Sequence, residues 1–231
     1  MDGNGRWAKA KGLPRVEGHR RGVQNVLKVI RSSKNLGIKY LTLYAFSAEN
    51  WNRPKTEVKA LMFLLESFLK SQLKELHENN MRFRVIGNID GLPPKISKII
   101  HKMMEETKSH TDFNLTLALN YGARQEIIEA VNKIVAENPT STINWEKIQE
   151  KLYTKDIPDP DLIIRTSGEY RLSNFLLLQS AYSEFYFSKI YWPDFSEEEL
   201  ISALNSYKNR QRRFGKTGDQ LESDTTVSMK S

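Results

Sequence analysis

The sequence predicts an α/β fold: a single domain in which a mostly parallel central sheet is flanked by helices. Apolar runs rich in β-branched and aromatic residues recur along the 231-residue chain, and segments with helical periodicity separate them. No internal repeat and no linker divides the chain. This alternation is typical of parallel sheets. We expect the domain to cover residues 1–218 and a disordered polar tail to cover residues 219–231.

The individual elements follow from local signals. The first helix has apolar residues on one side and ends before Gly37. YLTLYAF is apolar almost throughout, as expected for a strand covered on both faces. Pro54 marks the start of a long helix with a broad apolar stripe. The expected helices cover residues 17–36, 54–80, 93–107, 124–138, 173–182 and 196–213, and the expected strands cover residues 40–46, 81–87, 115–120, 161–165 and 184–187.

The helix at 54–80 is apolar around more of its circumference than one contact face requires. Phe63, Leu64 and Phe68 widen its stripe. A stripe of this width is usually core, but a second sheet, a partner subunit or a hydrocarbon ligand could also cover it. An anion site above an apolar lining would suit an amphiphile with a diphosphate head.

Composition restricts the class of protein. The chain has no cysteine, which excludes disulfides and thiolate metal sites and favours a reducing cytoplasm. No apolar run is long enough to span a membrane. The net charge of +7 indicates anionic partners, although nucleic acid is disfavoured because no recognition pattern is present. Part of this charge lies in the final helix and tail, where a solvated helix end is an equally good explanation. The cations there are Arg210, Arg212, Arg213 and Lys216.

Polar segments follow three of the predicted strands: SAENWNRP, NYGAR and TSGEYRLSN. The carboxyl ends of parallel strands meet at one edge of a sheet, so these segments should form one rim. Such a group of guanidinium ions suits a multiply charged anion such as a diphosphate. Single arginines could instead pair with Glu49, Glu169 or Glu184. The arginines at this rim are Arg53, Arg124, Arg165 and Arg171, joined by Arg6 and Arg15 if the N-terminal segment lies alongside.

Two carboxylates and one histidine are candidates for the chemistry of that site. Asp2 and Glu184 could bind Mg²⁺, which bridges to phosphates through few protein ligands. Asp2 could equally be a solvated residue in a frayed terminus, and Glu184 an ordinary acid at a strand start. His19 could contact a phosphate, but helix capping or packing is the simpler interpretation. A zinc site, a nucleotide P-loop and a nucleophile elbow are not supported by any motif.

Several long motifs resemble those of the cis-prenyltransferases, the undecaprenyl diphosphate synthase family. They occur in the expected order over almost the whole chain, up to about residue 218. The motifs are MDGNGRWAKAKG, EGHRRG, LTLYAFSAENWNRP, NYGAR, DLIIRTSGEYRLSNFLLLQSAYSEFYF, WPDF and RRFG. The resemblance implies a Mg²⁺-dependent enzyme that adds isopentenyl diphosphate in cis to an allylic diphosphate, usually farnesyl diphosphate. The product would be a long polyprenyl diphosphate carrier for cell-wall synthesis.

The resemblance also implies roles for single residues. Asp2 would position Mg²⁺, Glu184 would be a second metal contact, and Asn50 matches the position assigned as proton acceptor. A neutral amide is a poor base, so released diphosphate could accept the proton instead. The allylic diphosphate would be bound by Gly3, Asn4, Gly5, Arg6 and Arg15, with Trp7 and His19 beside it. Further substrate contacts would be Ser47, Ala48, Glu49, Trp51 and Arg53, and isopentenyl diphosphate would be bound by Arg165, Arg171, Leu172 and Ser173.

The resemblance further implies a cytoplasmic homodimer, peripheral contact with the membrane for product release, and a hydrophobic tunnel between helix 54–80 and the sheet. In the family an apolar strand delivers the aspartate of MDGNGRW, and the given sequence lacks that strand. We therefore expect Asp2 to be poorly fixed and the activity to be weak. A non-catalytic partner subunit and a basic membrane- or RNA-binding module are the alternatives. The retained Asp2, Arg6 and Arg165 favour the enzyme.

Overall fold

The computed structural model describes residues 1–140 and 142–210. The predicted tail and the end of the last predicted helix lie outside these residues. Two short 3₁₀ helices cover Ala48–Asn52 and Trp192–Asp194. The α-helices are α1 (Asn4–Ala10), α2 (Arg15–Asn35), α3 (Lys55–Glu78), α4 (Pro94–Glu106), α5 (Ala123–Glu137), α6 (Trp145–Lys151) and α7 (Glu197–Lys208), and the strands are β1 (Tyr40–Ser47), β2 (Met81–Ile86), β3 (Phe113–Tyr121), β4 (Leu162–Arg165) and β5 (Glu184–Phe187).

The predicted α/β class is confirmed, and the strands pair in parallel. They are divided between a three-stranded sheet of order β1-β3-β2 and a two-stranded sheet of β4 and β5. β3 is the central strand of the larger sheet, and its side chains are buried except at Asn120. This explains why LTLAL is apolar without alternation, since the strand is buried on both faces.

The edges of β1 and β4 face the same cavity. Consecutive residues from Ile38 to Ser47 and from Asp161 to Thr166 line it. Within the described residues, each of these strands pairs with a neighbour on one side only. An apolar strand leading into Asp2 remains a prediction.

The predicted helix at 173–182 is wrong. The chain there forms a series of turns, because Ser173, Asn174 and Leu176 adopt positive φ angles of 51°, 62° and 44°. At the start of this segment, long-range contacts replace helical hydrogen bonds. The Asn174 carbonyl accepts from the Ala123 amide at 2.9 Å, and the Asn174 side chain accepts from the Arg124 amide at 2.9 Å. Tertiary contacts therefore override the helical pattern of this segment.

Two short helices, α1 and α6, were not predicted from the sequence. Gly3 precedes α1 with a φ of 97°, a conformation that glycine adopts without strain. The start of α1 packs closely on α2, where a Cβ on Gly18 would lie 1.9 Å from the Asn4 carbonyl oxygen. A Cβ on Gly22 would lie 2.4 Å from Asn4 Oδ1. These two glycines thus allow α1 to lie directly against α2.

Candidate active site

A cavity of about 900 Å³ opens at the carboxyl ends of β1 and β4. Its mouth is polar and includes residues 2–6 and the segment that follows β4. Its interior lies between the sheet and the apolar face of α3. The α3 residues that line it are Leu61, Met62, Leu64, Leu65 and Phe68. A polar mouth above an apolar interior is the arrangement that an amphiphilic ligand requires.

The backbone of Asp2 is fixed at this mouth, which corrects the expectation of a frayed residue. Its amide donates to Thr166 Oγ1 at 2.9 Å, and its carbonyl accepts from the Trp192 amide at 3.0 Å. The Thr166 hydroxyl is also 2.9 Å from the Asp2 carbonyl oxygen. These contacts lie more than 160 positions away in sequence, so local patterns could not reveal them.

The first group of charges at the mouth, the Asp2 cluster, consists of Asp2, Arg6, Arg165, Glu169 and Arg171. Asp2 Oδ2 lies 3.1 Å from an Arg165 nitrogen, and Asp2 Oδ1 lies 3.4 Å from Arg6. Glu169 accepts from Arg6 at 2.6 Å and from Arg171. Glu169 thereby joins two of the predicted substrate-binding arginines and is itself a residue with no predicted ligand role.

The pKa of the Asp2 carboxyl is lowered in this cluster. Burial alone would raise it, but the hydrogen bonds from Arg165 and from the Gly3 amide and the charge of Arg6 outweigh burial. The Asp2 carboxylate is therefore ionised at neutral pH. Its side chain is 38% exposed, so a ligand can reach it.

Arg165 also organises the segment after β4. One of its nitrogens donates to Ser173 Oγ at 2.8 Å and to the carbonyl of Arg171. Arg171, Leu172 and Ser173 all line the cavity. The residues predicted to bind isopentenyl diphosphate are thus close together, and Ser173 has a positive φ that this hydrogen bond helps to maintain.

The second group, the Glu57 cluster, consists of Glu57, Arg15, His19 and Arg53. Glu57 Oε1 lies 3.3 Å from Arg15 Nη2, 3.2 Å from His19 Nε2 and 3.0 Å from Arg53 Nη1. A Cβ on Gly5 would lie 2.9 Å from Arg15 Cζ, so the guanidinium lies directly over the backbone of α1. This contact joins the Glu57 cluster to the glycine-rich N-terminal segment.

Two pKa values are lowered in the Glu57 cluster. Burial lowers the pKa of His19; the hydrogen bond and charge of Glu57 oppose this, while the charges of Arg53 and Arg15 add to it. Burial would raise the pKa of Glu57, but Arg15, Arg53 and the hydrogen bond with His19 lower it. His19 is therefore neutral in the free protein at neutral pH, and Glu57 is ionised.

The 3₁₀ segment Ala48–Asn52 follows β1 and carries the motif SAENWNRP. Asn50 Oδ1 accepts from the Ser47 amide at 3.1 Å, and both Ser47 and Asn50 line the cavity. Glu49 accepts from the Asn174 side chain at 2.7 Å, and Trp51 donates to Asn120 at 2.8 Å. Ala48 is the first residue of this 3₁₀ helix. The contacts of Glu49 and Trp51 fasten the loop after β1 to the other loops of the rim.

Other predicted site residues lie away from the mouth. Trp7 is buried and donates to Asp194 Oδ2 at 2.7 Å, so it fastens α1 to the 3₁₀ helix at 192–194. Glu184 begins β5 and accepts from Arg210 at 2.8 Å. It pairs with Leu162, at the opposite end of β4 from Arg165. Within a single chain Glu184 therefore does not lie beside Asp2, which contacts Arg165. Its role as a metal contact remains a prediction.

The residues at the mouth are compatible with Mg²⁺. Asp2 supplies one accessible, ionised carboxylate, and Mg²⁺ is commonly bound by one or two carboxylates, substrate phosphates and water. The described part of the chain contains no group of three or more His, Asp or Glu residues that could form an all-protein metal site.

Sequence reasoning missed Glu57 as a site residue, because it lies within a helix whose dominant signal is the apolar stripe. The available signal was the nearness of Glu57 to Arg53, which lies four positions earlier and just before the start of the helix that carries Glu57. Thr166 was also missed, because its partner Asp2 is distant in sequence. Glu169 was considered as a partner for single rim arginines, and it does pair with Arg6 and Arg171.

Comparisons with known proteins identify the family of this chain. The model of the family described as "Putative undecaprenyl diphosphate synthase" matches residues 1–215. The isoprenyl transferase of Geobacter sulfurreducens is 50% identical over 226 residues, which are 96% of this chain and 92% of that protein. The isoprenyl transferase of Clostridium perfringens is 52% identical over 220 residues, which are 93% of this chain and 87% of that protein.

Solved structures are also similar. Lavandulyl diphosphate synthase from Lavandula x intermedia, crystallised with dimethylallyl diphosphate, has a TM-score of 0.89 and 40% identity over 94% of this chain and 95% of that chain. A probable undecaprenyl diphosphate synthase from Campylobacter jejuni has a TM-score of 0.76 and 36% identity over 85% of this chain and 93% of that chain. Among the described helices, none is both long enough and apolar enough to cross a bilayer.

Proposed function

The chain belongs to the undecaprenyl diphosphate synthase family of cis-prenyltransferases, and from this premise we propose that it condenses isopentenyl diphosphate in cis onto farnesyl diphosphate. The observation that carries the proposal is the pair of charge clusters at the mouth of one apolar cavity. Two clusters can hold two diphosphates, and the cavity can hold a growing hydrocarbon tail. The product would be a long polyprenyl diphosphate for cell-wall synthesis.

We assign one diphosphate to each side of the mouth. The allylic diphosphate lies between the residues of Gly3–Arg6 and the side chains of Arg15, His19 and Arg53. Isopentenyl diphosphate lies on Arg165, Arg171 and Ser173. Fixing both substrates in this way converts a bimolecular reaction into a nearly unimolecular one.

The reaction begins with cleavage of the allylic carbon–oxygen bond, and the diphosphate leaves with the electron pair. The double bond of isopentenyl diphosphate then forms a bond to the allylic carbon. Loss of a proton from the adjacent carbon creates the new double bond. Arg6 and Arg15 line the cavity, and their charges would stabilise the charge that develops on the leaving diphosphate.

We propose that Asp2 holds Mg²⁺ together with phosphate oxygens. When bound, the ion would neutralise charge on the leaving diphosphate. Arg6 and Arg165 orient the Asp2 carboxylate towards the mouth. The engagement of Asn50 Oδ1 by the Ser47 amide favours released diphosphate as the proton acceptor, with Asn50 shaping the loop.

The direct test is incubation with radiolabelled isopentenyl diphosphate, farnesyl diphosphate and Mg²⁺, followed by sizing of the products. We expect long-chain polyprenyl diphosphates, and no incorporation when Mg²⁺ is chelated. Binding of isopentenyl diphosphate without incorporation would instead support the non-catalytic subunit. A complete lack of turnover contradicts the proposal.

The tunnel along α3 can be tested with two substitutions on the same helix. Leu65→Trp would fill the cavity that Leu65 lines, and we expect shorter products. Phe63→Trp is the matched control, because Phe63 is 69% exposed and lies outside the lining. Unchanged product length in both variants would place the hydrocarbon tail elsewhere.

We also propose a cytoplasmic homodimer that contacts the membrane peripherally during product release. The aromatic face around β5 supports a partner surface, since Tyr170 and Tyr182 are exposed and Phe185 stacks on Phe187. The charge of +7 supports attraction to an anionic bilayer. Light scattering would measure the mass in solution, and vesicle sedimentation with and without anionic lipid would measure membrane binding.

A further inference from the structure

Glu57 contacts donors from three side chains, whereas Asp2 and Glu169 each contact side-chain donors from two. A single oxygen, Oε1, lies within 3.3 Å of donors from Arg15, His19 and Arg53. These donors come from two separate parts of the chain: the start of α2 and the residue before Pro54. Without an anion between them, the two guanidinium groups would repel each other.

The position of Glu57 relative to the cavity indicates its role. Arg15, His19 and Arg53 line the cavity, whereas Glu57 lies behind them and outside the lining. The Glu57 side chain is 14% exposed. Glu57 therefore contacts the cations from the protein side, and a ligand in the cavity would contact them from the other side.

The contacts leave donors available for such a ligand. Arg15 and Arg53 each contact Glu57 through one terminal nitrogen, whereas a guanidinium carries five N–H donors. An anion in the cavity therefore does not need to displace Glu57. The carboxylate can remain in place while the free donors bind phosphate oxygens.

We propose that Glu57 is a positioning residue that assembles Arg15, His19 and Arg53 into a diphosphate cradle before the allylic substrate arrives. This inference rests on the proposed function, because it assigns the Glu57 cluster to the allylic diphosphate. Glu57 stabilises the arrangement of the cations and does not contact substrate. Its removal should weaken binding of the allylic diphosphate and leave binding of isopentenyl diphosphate nearly unchanged.

The chain offers a matched control on the same helix. Glu66 also lies on α3 and also contacts two cations, Lys70 at 2.6 Å and Lys95 at 2.9 Å, but none of these three residues lines the cavity. Glu57→Gln and Glu66→Gln thus remove the same charge from the same helix. Any difference between the kinetic effects of the two substitutions is therefore due to the position of the carboxylate beside the cavity.

Kinetics form the first part of the experiment. We expect Glu57→Gln to raise the KM for farnesyl diphosphate roughly tenfold, because a residue that orients the ligand-binding side chains is lost. The KM for isopentenyl diphosphate should change less than about twofold. Glu66→Gln should change neither. Glu57→Asp should restore part of the loss, since it keeps the charge. Equal effects on both substrates, or none, would overturn the proposal.

The second part does not depend on turnover and so separates this proposal from the proposed function. The His19 ring is followed by NMR during a pH titration of each variant, without substrate and with inorganic pyrophosphate. The groups facing His19 are Glu57, Arg53 and Arg15. Glu57→Gln should lower the pKa of His19 further and weaken pyrophosphate binding, whereas Glu66→Gln should do neither.

Each result has one meaning. Tighter pyrophosphate binding in Glu57→Gln would show that Glu57 competes with the anion and would overturn the positioning role. An unshifted His19 titration would also overturn it, because Glu57 would then not be held against the ring. If the unmodified chain lacks prenyl transfer but the titration and pyrophosphate results appear as expected, the proposed reaction fails while the cradle remains.

Discussion

The two charge clusters at the cavity mouth use the same chemical groups and differ in where the carboxylate lies. In the Asp2 cluster Asp2 lines the cavity together with its arginines, whereas in the Glu57 cluster the arginines line it and the carboxylate lies behind them. A carboxylate that faces the ligand space can share a metal ion with phosphate oxygens. One that lies behind arginines can only orient them. The order of the layers, and not the residue types, separates metal binding from positioning.

The clusters also differ in how the chain assembles them. Arg6 and Glu169 are 163 positions apart, as are Asp2 and Arg165. His19 and Glu57 are 38 positions apart, and Arg53 and Glu57 only four. The Asp2 cluster therefore forms only when β4 and α1 have docked. The Glu57 cluster needs only the packing of α2 on α3.

The largest effect should come from Asp2→Asn, which keeps the shape of the side chain and removes its charge. We expect kcat to fall at least about a hundredfold, because the predicted metal ligand at the leaving diphosphate is lost. The fold should survive, since backbone groups make the anchoring contacts to Thr166 and Trp192. Single-turnover assays and a thermal melt would measure both. Retained kcat would mean that the two clusters do not differ in metal binding.

The next largest effect should separate the substrates. Arg15→Lys should raise the KM for the allylic diphosphate about tenfold, because lysine loses the planar fork that binds phosphate. Arg171→Lys should instead raise the KM for isopentenyl diphosphate. Steady-state kinetics with each substrate varied in turn would show which KM each variant raises. If both variants affect the same substrate, the assignment of one diphosphate to each side of the mouth is wrong.

A smaller effect should follow from Gly5→Ala, which tests the contact between the clusters. The new Cβ would lie 2.9 Å from Arg15 Cζ and should displace the guanidinium, raising the allylic KM by a few-fold. In an Arg15→Ala background the same substitution should have little further effect. A double-mutant cycle measures this coupling. Additive effects would show that Gly5 acts through some other neighbour.

The smallest effect should appear in stability. The pKa of folded His19 is lowered from its usual value of 6.5, so the unfolded chain binds more protons as pH falls below that value. Stability should therefore decrease on acidification. His19→Gln removes this contribution, so its Tm should decrease less than that of the unmodified chain between about pH 7.5 and about pH 5.5. Equal decreases would show that His19 titrates normally.

The fold was predictable where local patterns and packing agree. The expected bounds of α2, α3 and α5 lie within two residues of those observed, because apolar periodicity and terminal signals coincide there. The segment at 173–182 shows the limit. Its apolar residues suggest a helix, but the contacts of Asn174 with the loops after β1 and β3 hold three positive φ angles at its start.

The residues that form the site were largely predictable, but which of them line the cavity and which lie behind the lining was not. Topology alone places the segments after β1, β3 and β4 at one rim, which is why Arg53, Arg165 and Ser173 were found. The pairing of each cation depends on side-chain positions across that rim. The role of Glu57 behind Arg15 and Arg53 could be recognised only when the cavity was known.

The packing of Asn4 into the notch formed by Gly18 and Gly22 has a consequence for the geometry of the reaction. It locks the N-terminal turn to the helix that carries Arg15 and His19, while Asp2 is fastened to Thr166 beside Arg165. The folded chain thus fixes the distance between the two proposed diphosphate sites before either substrate binds. We expect this distance to determine how closely the two reacting carbon atoms approach each other.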